Sequence, residues 1–397
     1  MNEINTVQDT KKSDVTLPPI PARNPDIQVG ILEMDDRRGG HLRRVTLDLE
    51  RTSNDARIGT GELYRWKLRE GCLIEYRGLR NGRDRNITID KINGLEPSVW
   101  AAREEFSRRI AIDPFERINL TTGPQDTSMR VVDLLSPLGK GQRALIVAAP
   151  RSGKTMLMQA FARSISEKHP EIDLIVLLVD ERPEEVTDMR RTIRGEVFAS
   201  SSDSDREDHV RIAQLVLNYA KRKAEAGKDV VLLLDSITKM GRAFNSVQRS
   251  SGRTLSGGVD ARALEVPKRI FGAARALEGG GSLTILATAL VHTNSRMDDL
   301  IFEEFKGTGN MEIVLDRDLA NERIYPAINI PESGTRREEL LFGRETPKYQ
   351  SLRRALHRMK PKEAMLTMHR LLEKFDTNRK LLAQFADAGQ KLDDLLD

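Results

Sequence analysis

The chain has 397 residues, 39% of them hydrophobic and 31% charged, with a formal net charge of +4. This is the balance of a water-soluble globular protein with a charged surface. It excludes a membrane partner, because no apolar run reaches the roughly 18 residues that a span needs, and the opening MNEINTVQDTKKSDV lacks the apolar core of a signal peptide. A single cysteine, Cys72, excludes an intrachain disulfide and a cysteine zinc site, and a reducing cytoplasm is the expected compartment.

Residues 1–28 are polar and proline-bearing (TLPPIPARNPDIQ) and are expected to form a disordered tail. Residues 29–94 hold five short segments of strand character: VGILEM, HLRRVTLDL, ELYRWKL, CLIEYRGL and NITIDKI. Glycine-bearing turns such as Arg38-Gly39-Gly40 and Asn81-Gly82 separate several of them. Five such strands suit a small all-β barrel of the OB type, which either binds a single strand or serves as structure. From Arg37 to Arg85 thirteen Lys and Arg face seven Asp and Glu, a local +6 that leaves −2 for the rest of the chain. A basic module on a near-neutral body is the outline of a nucleic-acid binder, or else a solvated arginine-rich surface.

Residues 95–128 read as a connector with a short helix at Ser98–Arg108. From about Met129 to residue 345 the pattern becomes α/β. ALIVAA (144–149), LIVLLV (174–179), VVLLLD (230–235) and SLTILATAL (282–290) are unbroken apolar runs, suited to central strands of a parallel sheet covered on both faces. Helical stretches such as Thr155–Lys168 and His209–Ala226 lie between them. Residues 346–397 form a helical segment in which Met365, Met368, Leu371, Leu372 and Phe375 recur at helical spacing, a stripe for core or subunit packing.

The segment Ala148-Ala149-Pro150-Arg151-Ser152-Gly153-Lys154-Thr155 follows an apolar strand and opens a helix, which is the setting of a phosphate-binding loop. Lys154 is expected to reach the β- and γ-phosphates of ATP and Thr155 to hold Mg²⁺. Arg151, Ser152, Gly153 and Met156 complete the nucleotide-binding stretch. Ala148 stands where GxxxxGKT has its first glycine, which is acceptable where φ is negative. Asp235 ends VVLLLD at the strand end where open α/β sheets bind ligands; it either anchors Mg²⁺ through water or caps the strand. Glu181, closing LIVLLVDE, is the candidate to orient the attacking water, with Asp180 its competitor. Arg182 either senses phosphate or neutralises Glu184 and Glu185. Arg336 and Arg337, in the loop ESGTRREE, are surface arginines or a finger presented to a neighbour's γ-phosphate.

These residues bring a resemblance into view. From about Thr127 to Leu341 the chain resembles the Rho family of RecA-like hexameric RNA helicases. The stretches that carry the resemblance are VVDLLSPLGKGQRALIVAAPRSGKT, DERPEEVTDM, LLLDSITK, SGGVDARAL, PKRIFGAAR, GSLTILATAL, EEFKGTGNMEI and SGTRREELL. The resemblance implies a RecA-like P-loop ATPase domain with a parallel-sheet core, preceded by an OB-like RNA-binding barrel. It implies a homohexameric ring with ATP and Mg²⁺ between subunits, and single-stranded RNA as partner, with RNA polymerase a further candidate. It assigns phosphate binding to Lys154 and Thr155, water activation to Glu181, the magnesium-linked carboxylate to Asp235 and the trans finger to Arg336. Tyr325 matches an adenine-packing position, and Arg182, Lys239 and Arg323 match basic positions around the nucleotide.

Two segments match loops that grip RNA in the ring's channel: SSGRTLSGG, with Arg253, Thr254 and Gly257, and HTNSR, ending in Arg296. Arginine replaces the family's usual lysine at 253 and 296, which keeps the charge but alters the pairing geometry. In the barrel, RGGHLRRV stands where the family has an aromatic GFGFLR-like strand. The usual base-stacking platform is then absent, and arginines suited to phosphate contact replace it. Residues 1–28 are too few and too polar to supply the helical bundle that precedes the family's barrel.

The expected function is therefore an RNA-dependent ATPase and 5′–3′ RNA helicase that ends transcription by pulling on nascent RNA. One alternative is another RecA-like ring, such as a rotary ATP synthase subunit or a secretion ATPase; the basic barrel and SSGRTLSGG speak against it. The other is a paralogue that binds RNA or modulates rings without turnover, against which the intact GKT, Glu181, Asp235 and Arg336 speak.

Overall fold

The computed structural model describes residues 26–35, 39–78, 87–248, 256–260 and 262–385. The expected tail therefore falls almost wholly outside the described residues. Among those described, no helix is long and apolar enough to cross a membrane.

The N-terminal region is a five-stranded antiparallel sheet. Its spatial order is Ala56–Ile58, Gly40–Arg44, Gln28–Met34, Leu73–Arg77 and Thr88–Ile92. A helix, Thr60–Arg65, falls between the third and fourth strands in sequence, giving an OB-like connectivity. Leu32, Leu42, Ile58, Ile74 and Ile92 fill its core around Cys72 and Trp100.

The expected strand ELYRWKL is instead this helix and the turn after it. Tyr and Trp raise strand propensity, but only Leu63 and Leu68 are buried while Tyr64 is 79% exposed, so no period-2 face exists. Glu62 in the first turn and Arg65 in the last suit the helix dipole. The third strand is Ala56–Ile58, too short to show a period.

The other face of the barrel sheet packs on the larger domain. Ile31 and Leu49 belong to that domain's core, and Ala199 N donates to Leu47 O at 2.7 Å. Arg211 donates to Leu49 O at 3.1 Å and lies 3.6 Å from Glu33. Arg43 is buried between Glu33 and Asp55, 2.5 Å from the latter, and Arg51 approaches Glu33 at 2.5 Å. Burial pushes the Glu33 carboxyl up, but the bonds from Arg51 and Arg43 outweigh it and hold it below the usual carboxylate range.

This corrects the phosphate-contact reading for one of the four arginines, Arg43. The charge of Arg43 is taken up inside the protein; Arg44 is exposed, and Arg37 and Arg38 lie outside the described residues.

The larger domain is built on a nine-stranded sheet. Its main path runs Glu196–Ser201, Asp173–Glu181, Asp229–Asp235, Ser282–Leu290, Arg143–Ala148, Met311–Leu315 and Gly334–Thr335. Neighbours along this path pair in parallel except the last two, which are antiparallel. The apolar runs become these strands because both faces are covered, by Lys154–Lys168 and the C-terminal helices on one side and by Arg206–Glu225 and Ile237–Val247 on the other. Met365, Met368, Leu371 and Leu372 on the helix Pro361–Lys374 are buried in the first of these cores.

Candidate nucleotide site and RNA-facing loops

The site forms where four parallel strands end. Arg143–Ala148 runs into the loop 149–153, and the helix Lys154–Lys168 begins at once. Gly153, at φ 92° and ψ 15°, takes the left-handed conformation that starts it. Ser152 is fully buried and donates to Ala149 O at 2.7 Å, which fixes the loop. Its backbone N–H groups and the helix N-terminus offer an anion-binding concavity.

Beside this loop stand two carboxylates and two ammonium groups. Lys154 Nζ lies 2.5 Å from Asp235 Oδ1 and 3.5 Å from Glu181 Oε1. Thr288 Oγ1 donates to the same Asp235 oxygen at 2.7 Å. Lys239 Nζ is 2.8 Å from Glu181 Oε1 and donates to Asp180 O at 2.7 Å. Burial disfavours the Lys154 charge, but Asp235 and Glu181 more than offset it and its pKa rises. For Glu181 burial prevails over Lys154 and Lys239, and Glu185 adds to the rise, so its carboxyl sits above the usual range.

The strand carrying Glu181 is irregular at its end. Asp180 has φ 54°, and the ladder shifts register between Val179 and Glu181. A bulge of this kind re-aims a side chain. Here Glu181 faces both lysines, whereas Asp180 gives its carbonyl to Lys239.

A cleft of about 160 Å³ opens next to the loop, lined by Ser152, Gly153, Met156, Leu157, Tyr325 and Pro326 among others. The Tyr325 ring would lie 3.4 Å from a Cβ on Gly153. Met156 is 60% exposed at the mouth, and Arg151, Arg182 and Arg323 are exposed. Sequence reasoning missed Thr288 and the cleft residues Ser128, Gln159 and Arg163. Thr288, a hydroxyl inside an apolar run, was the one visible signal among them.

The sequence profile of the ATP synthase alpha/beta family, nucleotide-binding domain, matches residues 128–335. Over 387 residues the chain is 46% identical to the transcription termination factor Rho of Streptomyces coelicolor, covering 97% of this chain and 92% of that one. It is 49% identical over 338 residues to that of Pseudomonas aeruginosa, covering 83% and 81%. The chain belongs to the transcription termination factor Rho family. It is also 52% identical over 299 residues to the Rho of Streptomyces lividans, of whose length it spans 42%. Its fold is similar to a solved ATPase of the type III secretion system of pathogenic bacteria, at a TM-score of 0.59 and 20% identity over 72% of this chain and 87% of that one. The fold is thus shared with the secretion ATPases, while the 46–52% identities are to Rho proteins.

Arg336 and Arg337, alike in sequence, differ in this Rho-family chain. Arg337 has φ 56° and pairs with Asp113 and, at 3.8 Å, with Glu339. Arg336 is exposed, and no ion pair holds it among the described residues. Its backbone N donates to Asn310 O at 2.9 Å, and Asn310 N donates to Arg143 O at 2.9 Å. Arg143 starts the strand whose other end enters the phosphate loop, so Arg336 and Lys154 stand at opposite ends of the sheet.

Of the RNA-loop residues expected from sequence, Arg253 and Thr254 lie outside the described residues. The other two come together. Gly257 has φ 76°, and a Cβ there would stand 2.8 Å from the carbonyl carbon of Arg296, so the two loops touch through a glycine that no larger residue can replace without movement. Arg296 is exposed at the start of the helix Arg296–Lys306. Behind it, fully buried Asp298 accepts from Arg242 Nε at 2.8 Å and Thr293 Oγ1 at 2.6 Å.

Proposed function

We propose that this chain is an RNA-dependent ATPase that assembles as a ring, translocates on single-stranded RNA and terminates transcription in the cytoplasm. The observation that carries the reading is the convergence of Lys154, Asp235, Glu181 and Lys239 beside the phosphate loop, in a chain of the Rho family.

Phosphoryl transfer to water needs phosphate binding, charge neutralisation and an oriented nucleophile. The loop Arg151–Thr155 binds the phosphates, and Lys154 leaves Asp235 to meet the β- and γ-oxygens. Thr155 and, through water, Asp235 would hold Mg²⁺. A hydroxyl and one carboxylate suffice, because Mg²⁺ keeps several waters and takes oxygens from the substrate. Bound there, the ion would supply positive charge against the phosphates. Glu181, anchored by Lys239, orients the attacking water. Tyr325 packs on the base in the cleft it shares with Met156.

Arg336 acts in trans. Its place at the far end of the sheet from its own Lys154 supports this, as does the absence of a carboxylate partner among the described residues, whereas Arg337 is held by Asp113. Gly257 and Arg296 belong to the RNA-gripping surface; Arg253 and Thr254, the other two residues expected there, lie outside the described residues. The domains follow as a barrel at 29–94, a connector at 95–128, an ATPase domain at 129–345 and a helical segment at 346–397.

The test is steady-state ATP hydrolysis with and without single-stranded RNA. Stimulation by RNA supports the reading. RNA-independent turnover returns the chain to the general RecA-like ring ATPases, and RNA binding without turnover makes it a modulator.

A further inference from the structure

The cleft beside the phosphate loop adjoins a second cavity, of about 280 Å³, whose walls include Gln125, Asp126, Arg163, Ser164 and Glu167. Ala160 and Arg163 line both spaces. Both spaces lie along one element, the helix Lys154–Lys168 that follows the phosphate loop. At about 1.5 Å of rise per residue, Arg163 lies roughly 15 Å down this helix from Gly153, and Glu167 roughly 21 Å. The order along the helix is therefore phosphate loop, Tyr325 cleft, Arg163, second cavity.

Two polar groups of the second cavity are already engaged. Asp126 accepts from Thr122 Oγ1 at 2.7 Å and from Met129 N at 3.2 Å, and Ser164 donates to Leu120 O. Arg163 and Glu167 are not engaged. Both are exposed and stand about one helical turn apart. Neither side chain makes a hydrogen bond or ion pair among the described residues. Nothing therefore fixes the Arg163 rotamer, and its side chain is a movable partition between the two spaces rather than a wall.

We propose that the second cavity is a subsite of the nucleotide site that takes adenosine triphosphates extended at the exocyclic N6 amine, with Arg163 the specificity-determining side chain at its neck. The inference rests on the proposed function. With the phosphates at the loop and the base against Tyr325, the six-membered ring of adenine, the part farthest from the ribose, points down the helix toward Arg163. A flexible chain leaving N6 passes Arg163 and enters the second cavity. Glu167, roughly 6 Å further along the helix, offers its unengaged carboxylate to an ammonium group at the end of that chain. Arg163 opposes the same ammonium as it passes, since like charges repel.

The full-length protein is titrated with ATP, with N6-(6-aminohexyl)-ATP and, as a control, with 8-(6-aminohexyl)amino-ATP, whose chain leaves the base on its ribose side. Each competes at low salt against ATP labelled on the ribose with a fluorophore. The N6-extended nucleotide should bind within about threefold of ATP. Glu167→Gln should weaken it about threefold, as loss of an exposed ion pair allows, and leave ATP and the C8-extended nucleotide unchanged. Arg163→Ala opens the neck and removes the opposing charge, and should favour the N6-extended nucleotide over ATP by a further factor of about three. Binding of the N6-extended nucleotide about tenfold or more weaker than ATP, equal losses for both extended nucleotides in Glu167→Gln, or an unchanged ratio in Arg163→Ala overturns the subsite while leaving the nucleotide site in place. Failure of ATP itself to bind would overturn the proposed function, and the subsite with it.

Discussion

Lys154 Nζ and Asp235 Oδ1 stand 2.5 Å apart, with Glu181 Oε1 3.5 Å from the same amine. The lysine that is to meet phosphate therefore also keeps two buried carboxylates apart. Lys154→Met should weaken ATP binding at least tenfold and also lower stability by about 1–3 kcal/mol, because it leaves buried acceptors without their donor. Adding Asp235→Asn should restore part of the stability and none of the binding. Urea unfolding and nucleotide titration of the two singles and the double read this as a cycle. Strict additivity of the two stability changes would show that the pair is not coupled.

Glu181 gives a prediction of opposite sign. Its carboxyl sits above its ordinary value of 4.5 because of burial. A raised pKa means that the fold holds the proton more tightly than the unfolded chain does. That contribution is full below 4.5 and is lost as pH rises through the raised value. At pH 7.5 the buried carboxylate is thus a liability, and Glu181→Gln should raise Tm by roughly 2–4 °C for each kcal/mol relieved, with little gain at pH 4. The same change should cut kcat by about 10²-fold or more while ATP still binds. In the unaltered protein, hydrolysis should fall as pH drops through the raised value. Near-normal turnover in Glu181→Gln would move the water-orienting role elsewhere.

Arg336 separates one chain from two. It stands at the far end of the sheet from its own Lys154, so on the proposed trans role a lone subunit would lack its finger. Hydrolysis per chain should rise steeply with protein concentration. Arg336→Ala and Lys154→Ala chains, each inactive alone, should recover activity when mixed, since some interfaces then join an intact pocket to an intact finger. Arg337→Ala should break only the pair with Asp113 and leave turnover nearly unchanged, as expected of an exposed ion pair. Mixtures that exchange subunits yet stay inactive would remove Arg336 from the site.

The parallel core was legible because strands buried on both faces read as unbroken apolar runs: SLTILATAL became a strand with those bounds, and VVLLLD one that begins a residue earlier, at Asp229. The loop ending in GKT was legible because strand, turn and helix stand consecutively in the chain. What sequence could not show depends on contacts between distant residues. The bulge at Asp180 that turns Glu181 toward Lys154 and Lys239 has no sequence mark. The difference between Arg336 and Arg337 rests on Asp113, more than 200 residues earlier. The arginines of the barrel strand looked alike until Glu33 and Asp55 were seen to claim Arg43.

That last contrast yields a test of how the barrel uses its charge. Arg43 is 7% exposed between Glu33 and Asp55, and Glu33 also serves Arg51 and, at 3.6 Å, Arg211 of the ATPase domain. Arg44, its neighbour, points to solvent. Removing one partner of a buried ion pair leaves the other charge uncompensated, at a cost of about 3–5 kcal/mol. Arg43→Gln should therefore destabilise the protein and loosen the barrel from the ATPase domain, seen as faster hydrogen exchange at Leu47–Leu49 and Ala199. Each phosphate contact on a single strand contributes about −0.7 to the slope of log affinity against log salt. Arg43→Gln should leave that slope unchanged where the variant remains folded, because Arg43 has no charge to offer. Arg44→Gln should do the reverse, leaving unfolding within about 0.5 kcal/mol of the parent and lowering the slope by one contact if the strand meets RNA. A salt slope that falls in Arg43→Gln and not in Arg44→Gln would mean that the buried pair opens to meet RNA, and that Glu33 and Asp55 are a latch on the barrel's binding surface.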